Sequence, residues 1–347
     1  MGIFSRKKKE ATPVNRGDLI PCETMIEAPP KGSPPPKKPA DLDAEQTKKL
    51  AQMLEHFNKP DLVLPVSSTD DTGKTRPISS WEKFFLTRDC FLRYLRAQKW
   101  DVPKAIKMLT ETLVWRREVG ITHGEEDEHP LKPEDIAVEN ETGKEILLGF
   151  DYDRRPLFYM KNGRQNTESS FRQVQQMLFM MECATTLTPQ GVEKMCVLVD
   201  FKHYKEPGII TDKAPPISIA KMCLHIMQNH YPERLGKCIL INIPWFIWAF
   251  LKMMYNFLDP ATKEKVIFDE PFTNHIDPSQ LEATYDGRLD FKYNHAVYWP
   301  DMNAKIEAIR NKQYERFQKF GAVMGLSEWD LKGDHDELVY PVDSIKA

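Results

Sequence analysis

His203, His225 and His230, together with many aspartates, give this 347-residue chain the side chains of a hydrolase. Acyl transfer also needs a nucleophile on a tight turn, and no GlyXxxSerXxxGly elbow occurs. No GlyXxxGlyXxxXxxGly loop occurs either. Gly73-Lys74-Thr75 imitates a phosphate loop, but its first glycine would fall at Ser68, Pro65 interrupts the preceding strand and Pro77 disturbs the following helix. It reads as a linker. The chemistry that remains is recognition. In AspProAlaThrLysGluLys (259 to 265), Asp259-Pro260 opens a helical turn with outward N–H groups, Thr262 adds a hydroxyl and Lys265 a cation, a set suited to phosphate. Glu233, in TyrProGluArg, is an acceptor for hydroxyls. Taken singly, each is an ordinary helix cap or solvated charge.

Composition narrows the class. With 41% hydrophobic and 29% charged residues the chain is globular, and a net charge of -3 gives no general attraction to nucleic acid. No basic face interleaved with aromatics is visible, so nucleic acid is not an expected partner. Cys22, Cys90, Cys183, Cys196, Cys223 and Cys238 contain no CysXxxXxxCys pair and sit mostly in apolar runs, which predicts reduced core thiols rather than disulfides or a zinc site. No metal and no cofactor is expected. The N-terminus lacks the apolar core of a signal peptide, and Arg6 breaks the myristoylation pattern, so membrane contact is expected to be peripheral.

Pro244 to Leu258 reads PWFIWAFLKMMYNFL, with Lys252 its single charge. Such a helix is apolar all round, yet too short for the ~20 residues that cross a bilayer. It must meet a core, a membrane surface or an apolar ligand.

Several elements position these groups. Residues 1–40, with the basic run Arg6 to Lys9 and a proline-rich stretch, read as a flexible tail. Asp43 to Phe57 and Trp81 to Gly120 have helical periodicity and form a helical unit over 41–122. Strand-like runs at 155–160, 196–201, 238–243 and 266–269 alternate with helical runs at 169–187, 217–230 and 245–258. That alternation predicts βαβ units and a mostly parallel sheet over 123–302, in the α/β class. A helix from Asn303 to Met324 opens the last segment, 303–347.

PheLeuArgTyrLeuArgAlaGlnLysTrpAspVal (91 to 102), the TrpArgArg helix end at 115–117, the strand ending in Asp200, TyrProGluArgLeuGly (231 to 236) and PheLeuAspProAlaThrLysGluLys (257 to 265) carry a resemblance. Over residues 81 to 302 the chain resembles a CRAL-TRIO domain with its N-terminal helical extension. It is most similar to fungal phosphatidylinositol transfer proteins of the branch linked to azole and other drug resistance.

The resemblance implies a twisted sheet flooring an apolar lipid pocket, closed by a mobile helical gate. Residues 245–258 are then the gate, including Trp245, Trp248, Phe250, Leu251 and Met254. It places phosphatidylinositol headgroup residues at Glu233, Thr262 and Lys265. Lys99 is added because Gln98 stands where relatives carry a base. Met177, Met180, Met181, Met222, Met227, Met253 and Met254 supply adaptable lining for acyl chains. Where relatives that carry phosphatidylcholine have two hydroxyls, this chain has Met195 and Val197, so phosphatidylcholine should bind poorly and a sterol becomes the expected second cargo.

The implied function is non-catalytic: extraction of phosphatidylinositol from one membrane and release at another. The alternatives are a sensing adaptor that presents this lipid to a lipid kinase, and a lipid hydrolase. The implied location is the cytoplasm, with transient contact at membranes such as lipid droplets, the endoplasmic reticulum or the cell periphery.

Overall fold

The computed structural model describes residues 19–69, 73–124, 127, 129–210, 216–258 and 260–346. The basic run at 6–9 and Asp259 lie outside them. In chain order come β1 (Ile20–Cys22), α1 (Ala44–Phe57), β2 (Val63–Pro65), β3 (Thr75–Pro77), α2 (Ser80–Phe85), α3 (Arg88–Ala97) and α4 (Val102–Glu118). Side-chain caps start the helices: Asp43 accepts from Gln46 N at 2.8 Å while Gln46 Oε1 accepts from Asp43 N. Thr87 accepts from Cys90 N, and Asp101 from Lys104 N. Instead of a phosphate loop, the GlyLysThr sequence leads into an antiparallel hairpin of β2 with β3.

The second half carries α5 (Pro133–Ile136), β4 (Glu145–Phe150), β5 (Pro156–Lys161), α6 (Phe171–Leu187), β6 (Met195–Asp200), α7 (Ile217–His230), β7 (Leu235–Ile241), α8 (Trp245–Tyr255), the single turn α9 (Pro260–Lys263), β8 (Val266–Phe268), β9 (Leu289–Phe291), α10 (His295–Lys319), α11 (Glu328–Lys332) and α12 (Asp343–Lys346). One sheet runs β4-β5-β6-β7-β8, antiparallel at its first pair and parallel thereafter. The mostly parallel α/β architecture is therefore present. Its edge at β4 is capped by Tyr298, whose hydroxyl donates to Leu147 O and accepts from Leu147 N, both at 2.7 Å.

Register sorts the side chains by face. Leu147, Phe158, Val197, Cys238 and Val266 form one row, and Glu145, Met160, Val199, Leu240 and Phe268 the next, on the same face. Trp248 and Tyr255 of α8 approach Phe268, with ring centroids 5.2 and 6.2 Å apart, which identifies this face as the one beneath the proposed gate. The opposite face meets residues 272–291: Tyr159 stacks on Tyr285, and Lys161 pairs with Glu282 at 2.5 Å.

Several expectations are corrected. β4, with all six residues buried, has no alternating pattern and escaped the sequence reading. Within the expected tail, β1 pairs in parallel with β9 and Met25 is buried in the main core, so order begins well before residue 41. The boundary placed at 302 falls inside α10. That helix contributes Tyr298, Trp299, Met302 and Ile306 to the sheet core and Phe317 to the core of the helical unit, where Met324, Leu326, Leu331, Val342 and Ile345 also pack. Residues 303–347 thus complete the N-terminal helical unit.

Candidate functional site

Two of the motifs quoted above lie at the N-terminal ends of the adjacent parallel strands β7 and β8, and a third, on α3, touches the first of them. Glu233 precedes β7 by two residues, in left-handed backbone at φ +59°, an uncommon conformation outside glycine that fixes the turn after buried Tyr231 and Pro232. Lys265 precedes β8 by one. Its carbonyl accepts from Cys238 N at 2.9 Å, and its amide donates to Thr262 O at 3.0 Å. Thr262 lies on α9, and both it and Lys265 are half-buried.

Glu233 Oε2 accepts from Arg96 Nε at 2.6 Å, and Arg96 Nη2 reaches Glu193 Oε2 at 3.1 Å, ahead of β6. Arg93 also pairs with Glu193, at 3.0 Å. Burial opposes charge on Glu193, but Arg93 and Arg96 hold its carboxyl below the usual range. The partner that sequence did not assign to Glu233 is therefore Arg96, in the same motif as Lys99 and read there as structural. Lys99 sits on the exposed turn after α3 at φ +52°, so α3 presents Arg96, not Lys99, to Glu233. The signal was available in the spacing: Arg93 and Arg96 are three apart on one helical face.

The TrpArgArg helix end locks α4 to its neighbours. Trp115 stacks on His230 with centroids 4.0 Å apart and planes 4° apart. Arg116 forks onto Glu182 of α6 with two 2.9 Å bonds, and Tyr231 donates to the same carboxylate at 2.6 Å. Burial raises a lone carboxyl, yet Arg116 brings Glu182 down to about 2. Arg117 pairs with Glu82 at 2.6 Å. The end of α7 and the turn carrying Glu233 are thereby anchored.

Above the sheet, α8 divides into two faces. Trp245, 84% exposed, shares the outer face with Ala249, Lys252 and Asn256, while Ile247 and Met254 are buried and Phe250 and Leu251 lie half-buried on the flanks. The outward face, open from sequence, is thus assigned. Beneath the helix, Val197, Cys238, Val266 and Phe268 remain only partly buried, in contrast to the fully buried β4. Val197 lies on this face as expected. Met195 shares it by alternation but is 2% exposed and packed in the core. Among the methionines, Met177, Met180, Met181 and Met254 are buried and Met222 is exposed. All six cysteines are free. Among the described residues no helix is long and apolar enough to cross a membrane.

Residues 140–287 match the family model described as CRAL/TRIO domain, and residues 49–111 that described as CRAL/TRIO, N-terminal domain. Phosphatidylinositol transfer protein PDR17 of Saccharomyces cerevisiae is 63% identical over 351 residues, covering 99% of this chain and 100% of that protein. A CRAL-TRIO domain-containing protein of Schizosaccharomyces pombe is 38% identical over 296 residues, covering 85% of this chain and 28% of its own length. The solved structure of Sfh5 aligns at 15% identity with a TM-score of 0.49, over 80% of this chain and 99% of that one. The chain belongs to the CRAL-TRIO family.

Proposed function

We propose that this protein binds phosphatidylinositol and carries it between membranes without covalent chemistry. One observation carries the reading: the sheet face under α8 is apolar and only partly buried along β7 and β8, and Glu233, Thr262 and Lys265 lie just ahead of those two strands, where a polar headgroup would sit. Acyl chains suit the apolar floor, the Lys265 ammonium suits a phosphate, and Glu233, steadied by Arg96, suits a ring hydroxyl. The relative named a phosphatidylinositol transfer protein, matched along its whole length, supports the same cargo. Lys99, exposed on the turn after α3, is kept in this reading as a further contact for the headgroup phosphate.

Cargo selection follows from the sheet rows. Leu147, Phe158, Val197, Cys238 and Val266 present no hydroxyl, which disfavours the choline phosphate of phosphatidylcholine and favours an uncharged second cargo such as a sterol. In this reading the protein works in the cytoplasm, touches membranes transiently through α8, and could hand its lipid to a lipid kinase. Mass spectrometry of lipids extracted with the purified protein, followed by vesicle-to-vesicle transfer, tests it. Absence of phosphatidylinositol from the extract together with no transfer overturns it.

A further inference from the structure

A polar cluster lies on the same sheet face at its buried β4 edge, apart from the proposed headgroup rim. Glu145 opens β4 on the face beneath α7 and α8 and is only 8% exposed, and Asn140 and Gln176 beside it are fully buried. Asn140 Oδ1 gathers them, accepting from Glu145 N at 3.2 Å and from Gln176 Nε2 at 3.0 Å. Three atoms of this cluster, Glu145 Oε2, Gln176 Oε1 and Asn140 Nδ2, have no hydrogen-bond partner among the described residues. Buried polar groups are nearly always paired, so three such atoms gathered around one amide call for a ligand.

The surroundings define that ligand. Burial pushes the Glu145 carboxyl up to about 8, so near neutral pH it keeps its proton and can donate. Asn140 Nδ2 is a second donor and Gln176 Oε1 an acceptor. A hydroxyl group has one donor and two acceptor lone pairs, which matches that trio, whereas an ammonium would leave Asn140 unpaired. A phosphate is disfavoured because the neighbouring cation, Lys144, is engaged with Glu139 at 2.6 Å, with Thr167 at 3.3 Å and with Gln165. On the cluster's other side is α7: Cys223 is half-buried on the helix face that meets the core, and burial first, then Glu145 once it ionises at alkaline pH, push its thiol up to about 11.

We propose that Glu145, Gln176 and Asn140 form an anchor for the single hydroxyl of an uncharged lipid, of the sterol or diacylglycerol class, lying along the sheet face. This rests on the reading of that face as a lipid floor. It gives the second cargo a polar contact distinct from the one used by the inositol headgroup.

The test uses the full chain with vesicles carrying radiolabelled cholesterol or dioleoylglycerol, each beside a form with the hydroxyl blocked, cholesteryl methyl ether or the acetyl ester. Label retained after gel filtration is measured. We expect roughly tenfold more of one free hydroxyl lipid than of its blocked partner, and the arm that shows it names the class. Glu145→Leu should abolish the preference, while Glu145→Gln, whose amide still donates, should keep it. The blocked pair decides the matter in unaltered protein even if the leucine variant folds poorly. Equal retention of free and blocked forms, retention of neither (which assigns the cluster to ordered water), or a preference that survives Glu145→Leu overturns the proposal. Phosphatidylinositol transfer measured on the same preparation is a separate readout: a protein that selects a free hydroxyl lipid but carries no phosphatidylinositol keeps this proposal and loses the underlying function.

Discussion

Arg96 Nε stands 2.6 Å from Glu233 Oε2, so the acceptor expected for a ring hydroxyl is already oriented by a guanidinium that also reaches Glu193. Both partners are partly exposed, and such pairs contribute only about 0 to 1 kcal/mol. Glu233→Ala and Lys265→Ala should therefore lose most phosphatidylinositol transfer with melting temperatures close to the parent. Arg96→Ala should lower transfer less, because Glu233 keeps its charge and loses only its orientation. Vesicle transfer and a thermal melt check this, and full transfer by both alanine variants at 233 and 265 would remove the site assignment.

The two faces of α8 separate membrane contact from packing. Trp245→Asp should weaken liposome binding roughly tenfold without changing the melt, since an exposed interfacial aromatic is exchanged for a charge. Ile247→Asp should destabilise by several kcal/mol, because the same charge is then buried without a partner. Phe250→Asp and Leu251→Asp, on the half-buried flanks, should lower both readouts. Liposome flotation beside calorimetry distinguishes them.

Reversal of the cargo row is best sought at one position. Val197→Thr adds a hydroxyl on the partly open floor, and should raise phosphatidylcholine transfer only modestly, since a net hydrogen bond contributes about 0.5 to 1.5 kcal/mol. Adding Met195→Ser should bring a stability loss of about 2 kcal/mol or more, because Met195 is core and its truncation leaves a cavity. Parent protein that already moves phosphatidylcholine as fast as phosphatidylinositol contradicts the selectivity.

Acid should loosen the anchor that joins α4, α6 and the turn after α7. The Glu182 carboxyl, with an ordinary value of 4.5, falls to about 2 beside Arg116. A carboxyl depressed on folding stabilises at pH values above 4.5, and that contribution, about 3 kcal/mol, is lost as pH falls from 4.5 through 2. Urea unfolding at pH 6, 4 and 2.5 should show this loss, and Glu182→Gln should be less stable at pH 6 and less steeply acid-sensitive. Parallel pH profiles for the two proteins would assign the acid response to other carboxylates.

Much of the architecture was legible because β5, β6, β7 and β8 are apolar runs punctuated by helices, and because α8 stands out by composition. β4 was not, since EILLGF is buried on both faces and begins with a charge whose burial no local pattern announces. At the proposed rim, Glu233, Thr262 and Lys265 were singled out by the resemblance, since each alone reads as a cap or a solvated charge, and partner choice was not legible. Whether Arg96 or Lys99 faces Glu233 depends on how α3 docks against the turn before β7, a tertiary relation invisible to periodicity. The same holds for Asn140, Gln176 and Glu145, which three separate elements bring together.

The helix α10 has a mechanical consequence. Its 25 residues extend for roughly 37 Å and are embedded at one end in the sheet core and at the other in the helical core. A beam clamped at both ends resists rotation of one core against the other, so in the proposed transfer cycle opening for cargo is not expected to be a hinge between halves of the molecule. The compliance then falls to the α7 to α8 span, which the Trp115 and His230 stack pins at the end of α7. The protein then behaves as a stiff cradle with one yielding wall.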